Sequence, residues 1–105
     1  MNKQTESLIL LNSLENFNFN KLKVLVAQFK TADAILGASV KQLSSVEGIS
    51  RLMASRIAGL AESFNLKREL ESIERQGIKI LTVFDKCYPE ILRQIYNPPL
   101  VLYIK

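Results

Sequence analysis

The hydrophobic period of this 105-residue chain changes once, at Gly77. Before it, apolar residues recur at intervals of three and four, and proline is absent; Pro89, Pro98 and Pro99 all lie beyond. After it, Ile78-Lys79-Ile80-Leu81-Thr82-Val83 begins to alternate and is rich in β-branched residues. A period of 3.6 and a period of 2 build different elements. Residues 1–76 therefore predict a helical domain, and residues 77–105 a strand–helix–strand segment of another kind. The expected fold class is mainly α: a small helical bundle followed by a β-α-β fragment.

Within the helical part, Leu8, Leu11 and Leu14, widened by Ile9 and Leu10, predict a helix from about Asn2 to Glu15. Asn20 is the expected N-cap of a second helix, which runs to about Lys30 with Leu22, Leu25, Val26 and Phe29 on one face. Thr31 and Ser39 suit the caps of two short helices, the first stopping at Gly37. After Ser50, the residues Leu52, Met53, Ile57, Leu60, Ala61 and Phe64 follow helical spacing. Asn65 can cap a last helix, with Leu66, Leu70 and Ile73 inward and Lys67, Glu71 and Arg75 outward at i, i+4 spacing. Gly77 stands where a left-handed C′ residue belongs. Beyond it, Asp85 to Pro89 reads as a turn, Pro89 as the N1 residue of a short helix through Ile95, and Leu100 to Ile104 as a strand of the kind buried in parallel sheets. Two strands around one short helix make a marginal sheet alone, so the order predicts a piece of a longer protein.

Composition removes several chemistries. There is no histidine, and Cys87 is the only cysteine. Ser-His-Asp and Cys-His systems, imidazole-ligated zinc and an internal disulfide are excluded. Cys87 has no evident base or partner thiol for a redox role, and Asp85 and Glu90 serve better as helix-start acids than as a hydrolytic pair. Apolar runs such as Leu8 to Leu11 are only a few residues long, where a membrane span needs roughly twenty. The polar N-terminus lacks a signal-peptide pattern. A cytoplasmic, non-catalytic protein with no cofactor and no metal is expected. The net charge of +4 comes from 14 basic and 10 acidic residues whose signs interleave along the chain, which permits contact with nucleic acid without requiring it. Phe17 and Phe19 in an asparagine-rich loop fit plugs between two helices better than a base-stacking pair.

One stretch of the helical part carries a specific pattern. Leu43, Val46, Gly48, Ile49, Ala54 and Ile57 have the spacing of a helix-hairpin-helix: a tight turn anchored by a hydrophobic residue, then a helix with a small residue at the crossing. Such a turn can present backbone N–H groups to a phosphate. Ser50 replaces the second glycine of the usual Gly-hydrophobic-Gly turn, and it is both a good N-cap and a hydroxyl donor. Gly48, Ile49 and Ser50, with Lys41, Arg51 and Arg56 supplying charge, form the expected contact to a DNA backbone. The same pattern also serves as a plain packing unit or a protein-docking element.

The C-terminal third adds a resemblance. Ile78-Lys79-Ile80-Leu81-Thr82, Asp85-x-x-Tyr88-Pro89-x-x-Leu92 and Ile95-x-Asn97-Pro98-Pro99-x-Val101-Leu102-Tyr103 resemble, in order and spacing, the DprA/Smf family of bacterial DNA-processing proteins. That resemblance implies a SAM-like or helix-hairpin-helix domain over residues 1–76 and the start of a Rossmann-like domain over residues 77–105. It further implies single-stranded DNA binding, loading of a RecA-type recombinase in natural transformation, and homodimerisation. The family's glycine- and arginine-rich DNA site has no counterpart among these residues. The residues Tyr88, Pro89, Pro98, Pro99 and Tyr103 themselves read as structural: two tyrosines suited to a boundary, and prolines that start a helix or hold the chain extended. The alternative reading is a structural or protein–protein interaction module without DNA binding of its own. Arg51→Glu combined with Arg56→Glu is expected to leave the fold intact and remove DNA contact; unchanged binding of labelled single-stranded DNA in that double variant would count against the hairpin.

Overall fold

A computed structural model describes residues 2–63 and 65–104. Seven helical segments come first: α1 (Lys3–Asn12), α2 (Phe19–Phe29), α3 (Ala32–Gly37), α4 (Val40–Ser44), α5 (Arg51–Ala58), α6 (Leu60–Ser63) and α7 (Leu66–Arg75). Strand β1 (Lys79–Thr82), the single turn α8 (Glu90–Arg93) and strand β2 (Val101–Ile104) follow. The fold is mainly helical, with one two-stranded sheet among the described residues.

Side-chain caps punctuate the helices. Asn2, Asn18, Thr31, Ser39, Ser50 and Asn65 each accept a hydrogen bond from the backbone N–H three residues on, at 2.8–3.1 Å. Ser39 and Gln42 close a reciprocal capping box. The second cap is Asn18 and not Asn20, because the earlier start brings Phe19 into the helix, where it packs on the core. At the end of α7, Gly77 takes φ +66°; Ile78 N–H reaches Ile73 O at 3.0 Å and Gly77 N–H reaches Glu74 O at 3.2 Å. These two bonds define a Schellman motif, and they turn the chain from the helical period into β1.

The core is organised around α1. Ser7, Leu8, Ile9, Leu10 and Leu11 are consecutive and all buried, so this half of the helix has no solvent face. α3, α6 and β2 pack against it. Leu22 and Leu25 of α2, Ile35 of α3, Leu43 of α4 and Ile57 of α5 complete the apolar interior. Val83, Tyr88, Leu100 and Val101 belong to the same cluster, so a single core runs through the helices and the ribbon. Leu52, expected inward, is 63% exposed, because Met53, Ala54 and Ile57 take the buried face of α5. Phe64 and the side chain of Ala61 lie outside the described residues. The outward ladder of Lys67, Glu71 and Arg75 stays solvated: the ion pairs among the described residues are Lys3–Asp33 and Arg93–Glu90.

The strands correct the parallel arrangement expected for residues 100–104. β1 and β2 pair antiparallel, with Ile80 opposite Tyr103 and Leu81 opposite Leu102. β2 is buried only at its start, and Tyr103 and Ile104 are each 43% exposed. A parallel return needs a crossover of a dozen or more residues, usually a full helix. Residues 83–100 are numerous enough for such a crossover, but their helix is the four-residue α8, a rise of about 6 Å, and the chain folds back beside β1. Pro89 is the N-cap of α8 and not its N1 residue, and the helix stops at Arg93, short of Ile95.

Arg93, which the sequence pattern did not single out, holds this return in place. Its Nε and Nη2 donate to Val83 O at 3.2 and 3.1 Å, Nη2 also donates to Asp85 O at 2.7 Å, and Nη1 meets Glu90 at 2.8 Å. Its guanidinium lies 5.2 Å from the centre of the Tyr88 ring. Tyr88 is buried and donates its hydroxyl to Pro99 O at 2.8 Å. Burial pushes the Tyr88 phenol above its ordinary pKa, and the Arg93 charge acts in the opposite sense. The family-like Tyr-Pro and Pro-Pro elements thus form one clasp closing the β1–β2 connection.

Leu11 is fully buried in α1. Leu11→Ala is expected to cost about 2–5 kcal/mol of stability through the cavity it leaves. Chemical denaturation read by circular dichroism would measure the loss.

Candidate nucleic-acid interface

The turn between α4 and α5 is built from three local decisions. Val46 O accepts from Ile49 N–H at 3.1 Å, closing the turn. Gly48 takes φ +90°, a backbone conformation that side chains resist. Ile49 turns inward and is buried. Ser50 then caps α5, its Oγ accepting from Met53 N–H at 3.0 Å, which leaves the hydroxyl proton available to another acceptor. The N–H groups of Arg51 and Leu52, in the first turn of α5, make no hydrogen bond among the described residues, as helix starts do. Ala54 is fully buried at the point where α4 and α5 pack together.

Outside this turn lies a depression of about 310 Å³ lined by Asn16, Lys21, Gly48, Ser50, Leu52, Met53 and Arg56. Of the residues expected to contact DNA, Gly48, Ser50 and Arg56 are brought together here. Ile49 is the buried anchor beneath them. Lys41 and Arg51 are exposed but do not line the depression. Neither Glu47 nor Glu62 lines it, and no acidic residue does.

The second cation is Lys21, which arrives from α2 and donates its Nζ to Asn16 O at 2.8 Å. Sequence reasoning missed it because it lies far from the hairpin along the chain. A signal was nonetheless present. The first turn of α2 contains no acidic residue and carries Lys21, with Lys23 following. Positive charge at a helix N-terminus opposes the macrodipole, and a broken local rule of this kind often marks a site. Among the described residues no group of three or more His, Cys, Asp or Glu side chains is arranged to hold a metal. No helix there is long and apolar enough to cross a membrane.

Two curated proteins are similar to the chain. Protein Smf of Synechocystis sp. is 33% identical over 82 residues, which is 78% of this chain and 21% of that protein. A UPF0758 protein of Clostridium botulinum is 39% identical over 61 residues, 58% of this chain and 26% of that protein. The chain thus spans about a fifth to a quarter of the length of these relatives. No family model matches it, and no solved structure is similar to it. The lengths carry information about the hairpin. Any contiguous 61 residues of a 105-residue chain must include residues 45–61, and any contiguous 82 must include residues 24–82. The Gly48 turn and α5 therefore lie inside both matches.

A Cβ at Gly48 would meet nothing within 4 Å, so substitution there is resisted by backbone conformation alone. Gly48→Val is expected to cost about 1–3 kcal/mol of stability; thermal unfolding of the variant beside the parent chain would measure the loss.

Proposed function

We propose that this chain, a segment of a DprA/Smf-family protein, is an auxiliary, non-catalytic module that contacts the backbone of single-stranded DNA through the Gly48 turn. One observation carries the reading: Lys21 and Arg56 converge on a depression beside the turn that no acidic side chain enters. The cations attract a phosphate, the Ser50 hydroxyl donates to it, and the start of α5 adds unpaired N–H groups with the favourable end of a helix dipole. Arg51, exposed in the first turn of α5, adds longer-range attraction, as does Lys41. The α4–turn–α5 unit is read as a helix-hairpin-helix within a SAM-like domain over residues 1–76, and residues 77–105 as the opening of a Rossmann-like domain. For the longer protein, we extend the proposal to single-stranded DNA binding, loading of a RecA-type recombinase in natural transformation, and homodimerisation in the cytoplasm.

Leu52 favours a second reading. It lines the same depression and is largely exposed, which suits the docking of a protein partner. The two readings separate in a fluorescence-anisotropy titration of labelled single-stranded DNA at several salt concentrations. A contact to about two or three phosphates fades with a slope of about −0.7 per phosphate. Lys21→Glu with Arg56→Glu is expected to abolish binding at near-physiological salt while changing stability by no more than about 0.5 kcal/mol; Arg51→Glu is expected to weaken it less. Binding that is absent even at low salt, or unaltered in the Lys21/Arg56 variant, would leave the protein-docking reading.

A further inference from the structure

A second depression, of about 380 Å³, lies where the helical body meets the ribbon, bordered by Phe19, Val83, Phe84, Asp85, Lys86 and Arg93. Phe84 lies two residues beyond the end of β1 and is 48% exposed, while its neighbour Val83 is buried. Arg93 is occupied by Glu90 and the backbone carbonyls of Val83 and Asp85, so it shapes the floor. Asp85 is engaged as well, its Oδ2 accepting from Thr82 N–H at 2.7 Å. Lys86 is exposed and forms no ion pair among the described residues. Lys23 places its ammonium 5.6 Å from the centre of the Phe19 ring. The site thus combines a half-exposed aromatic residue with Lys86 on its border and Lys23 beyond Phe19, and the one carboxylate that lines it, Asp85, is tied to the Thr82 backbone.

We infer that Phe84 is a stacking platform for one unpaired nucleobase, with Lys86 and Lys23 holding the phosphates on either side of it. Proteins that bind single strands combine aromatic platforms with cations that follow the backbone. The depression is shallow and lacks a set of polar groups to read a base edge, so the expected preference is for any base over none. Position supports the assignment. Phe19 borders this depression and Lys21, two residues on, borders the one at the Gly48 turn. Both border the start of α2 but on different sides of it, because residues two apart do not share a helix face; Phe19 and Lys23, four apart, serve this depression and Lys21 serves the other. The inference rests on the reading of the chain as a single-strand-binding module but uses different residues.

The test compares an oligodeoxythymidylate with an oligonucleotide of equal length in which every sugar lacks its base, both labelled and titrated with the 105-residue chain. The base-free strand is expected to bind about 5- to 100-fold more weakly, the range that stacking of one base supplies. Phe84→Ala should remove that preference and Phe84→Tyr should keep it. Equal binding of the two strands, lost in the Lys21→Glu/Arg56→Glu variant, would overturn stacking and retain the Gly48 turn. A base preference lost in Phe84→Ala, in a chain whose binding ignores Lys21 and Arg56, would retain stacking and overturn the turn. No binding of either strand would overturn both.

Discussion

Burial of α1 on all sides is the constraint from which the rest of the structure follows. A surface helix needs cover along one stripe; the second half of α1, from Ser7 to Leu11, is covered everywhere. No single partner helix can do that. Short helices must be brought to it from several directions, and α3, α6 and β2 supply contacts from separate parts of the chain. This explains why so many of the helices are short and why each needs a cap of its own. A helix of five or six residues, such as α3 or α4, forms too few internal hydrogen bonds to offset its nucleation. It persists because Thr31 or Ser39 satisfies its first turn and because Ile35 or Leu43 is buried.

The same economy of local chemistry makes the candidate interface. Gly48 accepts a conformation other residues resist, Ile49 ties the turn to the core, and Ser50 ends the turn by starting α5. Each act is structural, yet together they leave a hydroxyl and two N–H groups facing outward. The cations arrive from two helices distant in sequence, Arg56 on α5 and Lys21 on α2. At the start of α2 positive charge works against the helix dipole, a modest cost for an exposed side chain. The Lys21 ammonium is held there by the Asn16 carbonyl, to which it donates.

The ribbon depends on the core as much as the helices do. Two strands of four residues are marginal alone. Here β2 rests on α1 and β1 pairs with β2, and their connection is locked by Arg93 and by the Tyr88 hydroxyl on Pro99 O. Burial likewise pushes the Tyr103 phenol upward, and the Glu69 carboxylate adds to the shift, while the Asn12 side chain acts in the opposite sense. β2 is thus in electrostatic contact with α7 and α1, the first and last long helices of the helical part.

Much of this was legible in the residues, because it depends on neighbours in the chain. The period change at Gly77, the caps at Thr31, Ser39, Ser50 and Asn65, the left-handed turn at Gly48 and the inward Ile49 are settled within a few residues by backbone sterics and short-range hydrogen bonds. What tertiary structure decided is how distant segments meet. The antiparallel return of β2 is held by the contacts of Arg93 and Tyr88 across the connection. Leu52 faces outward because Met53, Ala54 and Ile57 fill the space against α4. Lys21 stands beside the turn because α2 packs on α3, which also meets α5, and this brings the first turn of α2 there. Spacing along a chain shows which face a residue occupies; only the packed core determines what that face meets.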